Sequence, residues 1–265
     1  MAVWSETNVT EVNKAKRIDS EYFHPDFIAA EAKVIAQQTK PLGLLGKFLI
    51  GPFGSAFQVS NYDPNSPYRY IRGKDVKPFQ LLDDDSVYMP PSDFFRLEKY
   101  AVQTDDLLIS VVGTLGNVAV VPEDVQGIFS CKSTVFRDAT VDPYFLLAYL
   151  NCRYGRSCLL RRQRGAIQAG LNKEDLKSIP IPQISESKQI LIGNLVKCSL
   201  VKSNQSNTLY LEAQSLLEKE LGFDKLVLEK PKSYETTFSE VMDSRRIDSE
   251  HFQVKYFQIK ELIKN

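Results

Sequence analysis

Few residues in this sequence are spaced for catalysis. Clustered carboxylates are hard oxygen ligands for Mg²⁺, and Asp83-Asp84-Asp85 is such a cluster. A solvated acidic loop has the same composition. Metal-dependent nucleases place their carboxylates on adjacent strands. Pro25-Asp26 and Glu31-x-Lys33 supply the residue types but fall within one stretch of helical character. Adenine methyltransferases flip their base beside an Asn/Asp-Pro-Pro-aromatic loop. The nearest string, Met89-Pro90-Pro91-Ser92, lacks both the amide and the aromatic ring. Gly113-x-x-Gly116 lacks the lysine and spacing of a phosphate-binding loop and reads as a turn between two strands. His24 and His251 each stand beside aromatic residues, which suits packing better than proton transfer. Cys131, Cys152, Cys158 and Cys198 form no C-x-x-C pair and read as reduced thiols, not a zinc set. The expectation is a chain with no catalytic residue, no metal site and no cofactor.

What remains is binding chemistry. Between Asn151 and Pro180 lie Arg153, Arg156, Arg161, Arg162, Arg164, Lys173 and Lys177, opposed by Glu174 and Asp175. The planar guanidinium fork matches phosphate oxygens and the two acceptors of guanine. Gln168 and Asn172 are interleaved with these charges and could pair with adenine. Gly165 and Gly170 let backbone approach a partner closely. Lys132, Arg72 and Lys74 could extend the patch. A solvated helix face carries the same charges, so charge alone leaves both readings open.

The whole-molecule charge gives this patch no support. The 265 residues carry 33 Lys plus Arg and 33 Asp plus Glu, for a net charge of zero. A nucleic-acid site on this chain therefore has to be local. The length allows one or two domains with a real core. No apolar run reaches the roughly 18 residues a membrane span needs. The first residues, MAVWSETNVTEVNK, are polar and do not read as a signal peptide. A cytoplasmic protein is expected.

The elements that must position these residues begin with a repeat. RIDSEYF at Arg17–Phe23 recurs as RIDSEHF at Arg246–Phe252, with six identities in seven positions. The offset that carries Arg17 onto Arg246 also pairs Val9-Thr10-Glu11-Val12 with Phe238-Ser239-Glu240-Val241. Helix periodicity does not demand such a string. The chain thus reads as a unit whose opening segment, residues 5–36, starts again near the end.

Four segments follow from the pattern. Residues 1–40 form an extended lead-in to residue 24 and then a helix from Pro25 to near Thr39. Residues 41–182 are β-rich and irregular, with strands at 68–71, 107–112, 118–121 and 133–137 separated by turn signals. A helix opening at Pro143 runs to about residue 164, interrupted near Gly155. Residues 183–222 read as one long helix, with a seam at Ile190, Leu191, Leu195, Cys198, Val201, Leu209, Ala213, Leu216, Leu217 and Leu221. About 40 residues would span roughly 60 Å. The polar stretch 202–207 interrupts the seam, and Gly222 suits the helix end. Residues 223–265 begin the second repeat copy. The fold class is α+β: a β-rich irregular domain followed by a long coiled-coil-like spacer helix.

An ordered series of motifs resembles a known family. GPFGS (51–55), YRYIRGKDV (68–76), DDLLISVVGTLGN (105–117), SCKSTVFR (130–137), PYFLLAYLN (143–151) and RGAIQAGLNKEDLKSIPIP (164–182) are similar, in order, to the target recognition domain of type I restriction–modification specificity subunits. The resemblance implies a non-catalytic subunit that reads one half of a bipartite double-stranded DNA site. It implies partners in DNA adenine methyltransferase subunits and in endonuclease/translocase subunits. It also adds Ser55 to the candidate DNA contacts. Members of the family carry two recognition domains joined by two long antiparallel helices. One domain and one helix here imply either a half-subunit that forms a homodimer through the spacer helix, or a chain whose second domain is missing. A homodimer would read a palindromic split site.

Two readings follow. One is a DNA-specificity module whose contacts are Ser55, Arg72, Lys74, Lys132, Arg161, Arg162, Arg164, Gln168, Asn172 and Lys173. The other is a scaffold that assembles methyltransferase partners through its helix without reading DNA. Salt-dependent duplex binding separates them.

Overall fold

A computed structural model describes residues 3–52, 54–165, 169–223, 231 and 233–264. The chain divides into two compact units, Met1–Lys202 and Ser203–Asn265. The fold is mixed α+β, ending in a long helix and two short ones.

The lead-in is less extended than its sequence suggests. Helix α1 (Val9–Ala15) starts where the Asn8 side chain accepts the Glu11 N–H and stops where Lys16 turns left-handed (φ 51°). Helix α2 (Pro25–Ile35) opens on Pro25 as expected but stops short of Thr39. Strand β1 (Thr39–Pro41) takes those residues instead. It pairs with Pro180–Pro182, and that backbone pairing overrides the local preference for helix.

Strand β2 (Lys47–Ile50) leads into a loop region, and β3 (Arg69–Ile71), α3 (Pro91–Arg96), β4 (Leu107–Ser110), β5 (Val118–Val120), β6 (Gly127–Phe129) and β7 (Ser133–Arg137) follow. Four of these strands form an antiparallel sheet in the order β2-β7-β4-β5. Strands β3 and β6 form a separate parallel pair. The sheet is covered on both faces, which explains why LLIS and VAV read as apolar runs without alternation. Leu107, Ile109, Val118 and Phe136 face one cluster, together with Phe145, Leu146 and Leu150. Leu108, Ala119 and Val135 face the other, with Ile71 and Phe129.

The helix expected from Pro143 breaks earlier than Gly155. Helix α4 (Pro143–Asn151) ends at Cys152, which is extended (φ −70°, ψ 163°) and caps α5 (Arg153–Leu160). Gly155 lies inside α5, where a Cβ would sit 2.0 Å from the Tyr149 carbonyl oxygen. Its role is close approach of α5 to the end of α4. Helix α6 (Lys173–Lys177) and strand β8 (Pro180–Pro182) complete the domain.

Helix α7 (Glu186–Glu220) is unbroken through the polar stretch 202–207. Its 35 residues rise about 52 Å at 1.5 Å each. Within the first unit, Ile192, Val196 and Leu200 pack on the core, and Gly193 sits against Asp142. The expected seam is a different stripe: Ile190, Leu191, Leu195 and Val201, then Leu209, Leu216, Leu217 and Leu221, are all exposed.

The second unit reproduces the repeat in three dimensions. Helices α8 (Phe238–Ser244) and α9 (Val254–Lys264) have the bounds of α1 and α2 moved by the offset that carries Arg17 onto Arg246. Thr237 caps α8 as Asn8 caps α1, and Arg245 turns left-handed (φ 52°) as Lys16 does. Asp248 accepts the His251 N–H as Asp19 accepts that of Tyr22. No described helix is long and apolar enough to cross a membrane.

Candidate nucleic-acid interface

Antiparallel pairing brings several sequence motifs to one end of the sheet. Ile50 of β2 lies opposite Thr134, and Ser110 of β4 lies opposite Ser133 of β7. The loops leaving that end are therefore 51–56, 111–117 and 130–132. The turn at Gly73–Asp75 joins them, because Ser130 N–H donates to the Ile71 carbonyl and Gly73 lies against Lys132. A Cβ on Gly73 would meet Lys132 Cβ at 2.8 Å. The loop from Arg164 to Gly170 closes on itself by two backbone bonds of 2.7 and 2.8 Å. It pairs with Val112, and Leu171 N–H donates to the Val111 carbonyl.

The loop 113–117 is built, not slack. Gly113 (φ 86°) and Gly116 (φ 76°) hold left-handed backbone that a side chain would strain. Thr114 donates to the Gly73 carbonyl at 3.3 Å, and the Asn117 amide donates to the Val76 carbonyl at 3.1 Å. Arg156, reaching over from α5, donates to Gly116 O at 2.8 Å, Asn117 Oδ1 at 3.1 Å and Leu115 O at 3.4 Å. In the sequence Arg156 is one of a run of basic residues, and nothing in its spacing points to this clamp. Only the GTLGN glycines hinted at a loop that needs holding.

Several of the arginines and lysines expected to face DNA are turned to internal work. Glu31, buried on α2, accepts from Arg161 Nη1 at 2.8 Å and from Arg162 Nη1 and Nη2 at 3.2 and 2.8 Å. Arg162 also donates to the Cys158 and Ser178 carbonyls. Burial alone would raise the Glu31 carboxyl. The bonds and charges of Arg162, then Arg161, overcome it and hold the group below its ordinary range. Arg161 lies over the Tyr22 ring at 4.3 Å, with Arg17 over the same ring at 4.6 Å. This pair ties the repeat segment to the domain. The sequence expectation that Arg161 and Arg162 form an open phosphate patch is therefore revised. Arg162 is buried with Nε, Nη1 and Nη2 all bonded, and Arg161 is bonded through Nε and Nη1.

The other expected contacts divide. Arg164 is half-exposed but grips Asp175 through Nε and Nη2 at 2.6 and 2.8 Å. Arg72 holds Asp75, and Lys74 holds Asp85, so the acidic run 83–85 is an ion-paired loop. Asp83 pairs in turn with the buried Arg69. Lys74 beside Asp85 keeps that carboxyl below its usual range. Asn172 caps α6 by accepting the Asp175 N–H. Gln168 lies outside the described residues. Ser55 and Lys132 are exposed at the sheet end, and the half-buried Lys173 opens α6 two residues after Leu171, which is bonded to Val111. Among the described residues, Lys132 and Lys173 have no ion-pair partner. The sheet end thus offers a serine, a threonine, backbone groups and the Lys132 ammonium on fixed loops, with the Lys173 ammonium at the start of α6. Such a set can hydrogen-bond and neutralise charge. Among the described residues, no group of His, Cys, Asp or Glu could hold a metal ion.

No protein-family model and no curated protein matches the chain. Among solved structures it is similar to the S subunit of a type I restriction–modification system from M. genitalium. That match has 16% identity and a TM-score of 0.49, and covers 69% of this chain and 44% of that one. It is similar to the HsdS subunit from Thermoanaerobacter tengcongensis, with 17% identity and a TM-score of 0.43, covering 77% and 50%. It is also similar to the type IIG restriction endonuclease BpuSI, with 9% identity and a TM-score of 0.50, covering 72% and 30%. The chain spans about half the length of the specificity subunits it matches.

Proposed function

We propose that this chain is a DNA-reading specificity module of the type I restriction–modification kind, non-catalytic in itself. It would read one half of a bipartite double-stranded site and serve DNA adenine methyltransferase subunits, with endonuclease/translocase subunits as further partners. The observation that carries the reading is the convergence of GPFGS, GKD, VVGTLGN, SCKS and the 164–170 loop at one sheet end. These segments are scattered from Gly51 to Gly170 in the sequence, yet hydrogen bonds and close contacts link them. Fixed loops carrying small polar side chains and free backbone groups are what base-edge readout requires. Lys132 and Lys173 supply phosphate contacts beside them.

The exposed stripe of α7 adds a homodimer to the proposal. Leu209, Leu216, Leu217 and Leu221 form an apolar seam that a second α7 would cover. A two-fold dimer would read a palindromic split site.

The test is a selection from random duplexes with the purified chain, alone and with a cognate methyltransferase. A bipartite motif is expected, palindromic if the chain dimerises. Lys132→Ala and Lys173→Ala should each weaken binding to every sequence and reduce the salt slope by about one. Absence of enrichment in both arms would refute the reading and favour the scaffold. The scaffold has one observation on its side, namely that Arg156, Arg161, Arg162 and Arg164 are engaged within the chain.

A further inference from the structure

The two repeat copies share a backbone but not a neighbour. In the first copy, Arg17 holds Asp19 and then reaches past it to the carbonyls of Arg162 and Gln163, at the end of α5. Its side chain is 4% exposed. Tyr22, Ala30 and Glu31 complete the face that receives α5. In the second copy, Arg246 makes the same fork to Asp248, at 2.7 and 3.0 Å. Its side chain is 56% exposed, and among the described residues it donates to Asp248 alone. An open groove of about 330 Å³ lies beside it, lined by Arg246, Glu250, His251, Tyr256, Phe257 and Lys260. In the first copy the corresponding positions are Arg17, Glu21, Tyr22, Phe27, Ile28 and Glu31. Three of these positions, Arg246, His251 and Lys260, match the residues Arg17, Tyr22 and Glu31 that meet the α5 end in the first copy, so the groove overlaps the counterpart of the α5 seat and is bare.

One position is inverted in charge. Glu31, which binds Arg161 and Arg162, corresponds to Lys260. Arg17 accepts that end in the first copy, so the change lies at Lys260: an ammonium in the place of Glu31 meets two arginines with like charge instead of a carboxylate. The α5 end of this chain is also already covered by residues 17–34 of its own first copy. A second copy of this chain fails as the occupant on both counts.

We propose that the Arg246–Lys260 groove docks the C-terminal end of a helix from a different recognition-type domain, one bearing a carboxylate where this chain has Arg161 and Arg162. Arg246 would take the carbonyls of the turn that follows that helix, as Arg17 takes those of Arg162 and Gln163. Lys260 would take the carboxylate. The Glu31/Lys260 inversion is then a specificity key: each repeat copy accepts one kind of domain and rejects the other. The inference rests on the repeat geometry and stands or falls independently of DNA reading.

The test uses the full chain and two labelled peptides. One spans residues 153–164 in native sequence. The other carries Arg161→Glu and Arg162→Glu. Fluorescence anisotropy is expected to show the charge-reversed peptide binding at least about tenfold tighter than the native one. Arg246→Ala should abolish that binding, which locates it. Lys260→Glu, at an exposed position that leaves the fold intact, should invert the preference. Equal binding of the two peptides, binding of neither, or an order unchanged by Lys260→Glu would each overturn the proposal.

Discussion

Glu31→Gln tests the joint between the repeat segment and the domain. The carboxylate receives three charge-assisted bonds, one from Arg161 and two from Arg162, and is 7% exposed. Glutamine keeps one acceptor oxygen but turns an amide toward the guanidinium groups and leaves two cations uncompensated. Removing one partner of a buried ion pair costs about 3–5 kcal/mol. Arg162 keeps the Cys158 and Ser178 carbonyls and the Ser178 hydroxyl, and Arg161 keeps the Tyr22 carbonyl. The expected loss is therefore at the lower end, about 3 kcal/mol. For a domain of this size that lowers Tm by about 6–12 °C. The sign with pH follows from the depressed carboxyl. Its contribution is complete above the unfolded-state value of 4.5 and is lost as pH falls through the lower folded value. Calorimetry of the wild type and the variant should show the full gap at pH 7 and a shrinking gap below about pH 4.5. A gap under about 3 °C at pH 7, or one that does not narrow in acid, would refute the account of this pair.

Three further outcomes are expected. Cys131, Cys152 and Cys198 are exposed and Cys158 is buried, its thiol pushed up to about 11 by burial and then by the Glu31 charge. A thiol reagent should therefore consume three thiols quickly and the fourth only in denaturant. Gly155→Ala drives a methyl group into the Tyr149 carbonyl and should cost about 3 kcal/mol or more, read by denaturant unfolding. Arg156→Met removes the clamp on 115–117, and amide exchange there should accelerate about tenfold while α4 stays protected.

The sequence exposed some layers of this molecule more readily than others. The repeat was legible because an RIDSE string is not something a helix requires, and α8 and α9 fall where the offset puts them. Strands β4, β5 and β7 were legible as apolar runs between turn residues. Strand β1 was not, because Thr39–Pro41 is held by Pro180–Pro182, a partner at the far end of the domain's sequence. The side of α7 that packs on its domain was missed for a similar reason. Ile192, Val196 and Leu200 form a stripe as regular as the seam, and only the core reveals which stripe it uses. At the candidate site, residue type revealed hydrogen-bonding capacity but not the partner. Arg161, Arg162 and Lys132 look alike in sequence. The first two are claimed by Glu31, which is remote in sequence and near in space.

That allocation of arginine has a consequence for affinity. Of the seven basic residues between Asn151 and Pro180, Arg156 is bound to loop carbonyls, and Arg161, Arg162, Arg164 and Lys177 are paired with carboxylates. The net charge of zero is thus repeated locally as neutralised pairs. Of the seven, Arg153 and Lys173 have no ion-pair partner among the described residues, and at the sheet end Lys132 and Lys173 are left for phosphates. Each phosphate neutralised contributes about −0.9 to the slope of log K against log salt. On the proposed DNA-reading function, the isolated monomer should therefore show a slope of about −2, against the steep values of proteins with six to ten phosphate contacts. Such binding is weak alone. On that proposal, tight binding would come from joining modules, because a second domain or a methyltransferase partner would add its own contacts at high effective concentration. Measured by salt titration, the slope should stay near −2 for a monomer and steepen on dimerisation or on adding the methyltransferase. A slope of −6 or beyond for the isolated monomer would mean that cations now counted as paired release their carboxylates to bind DNA.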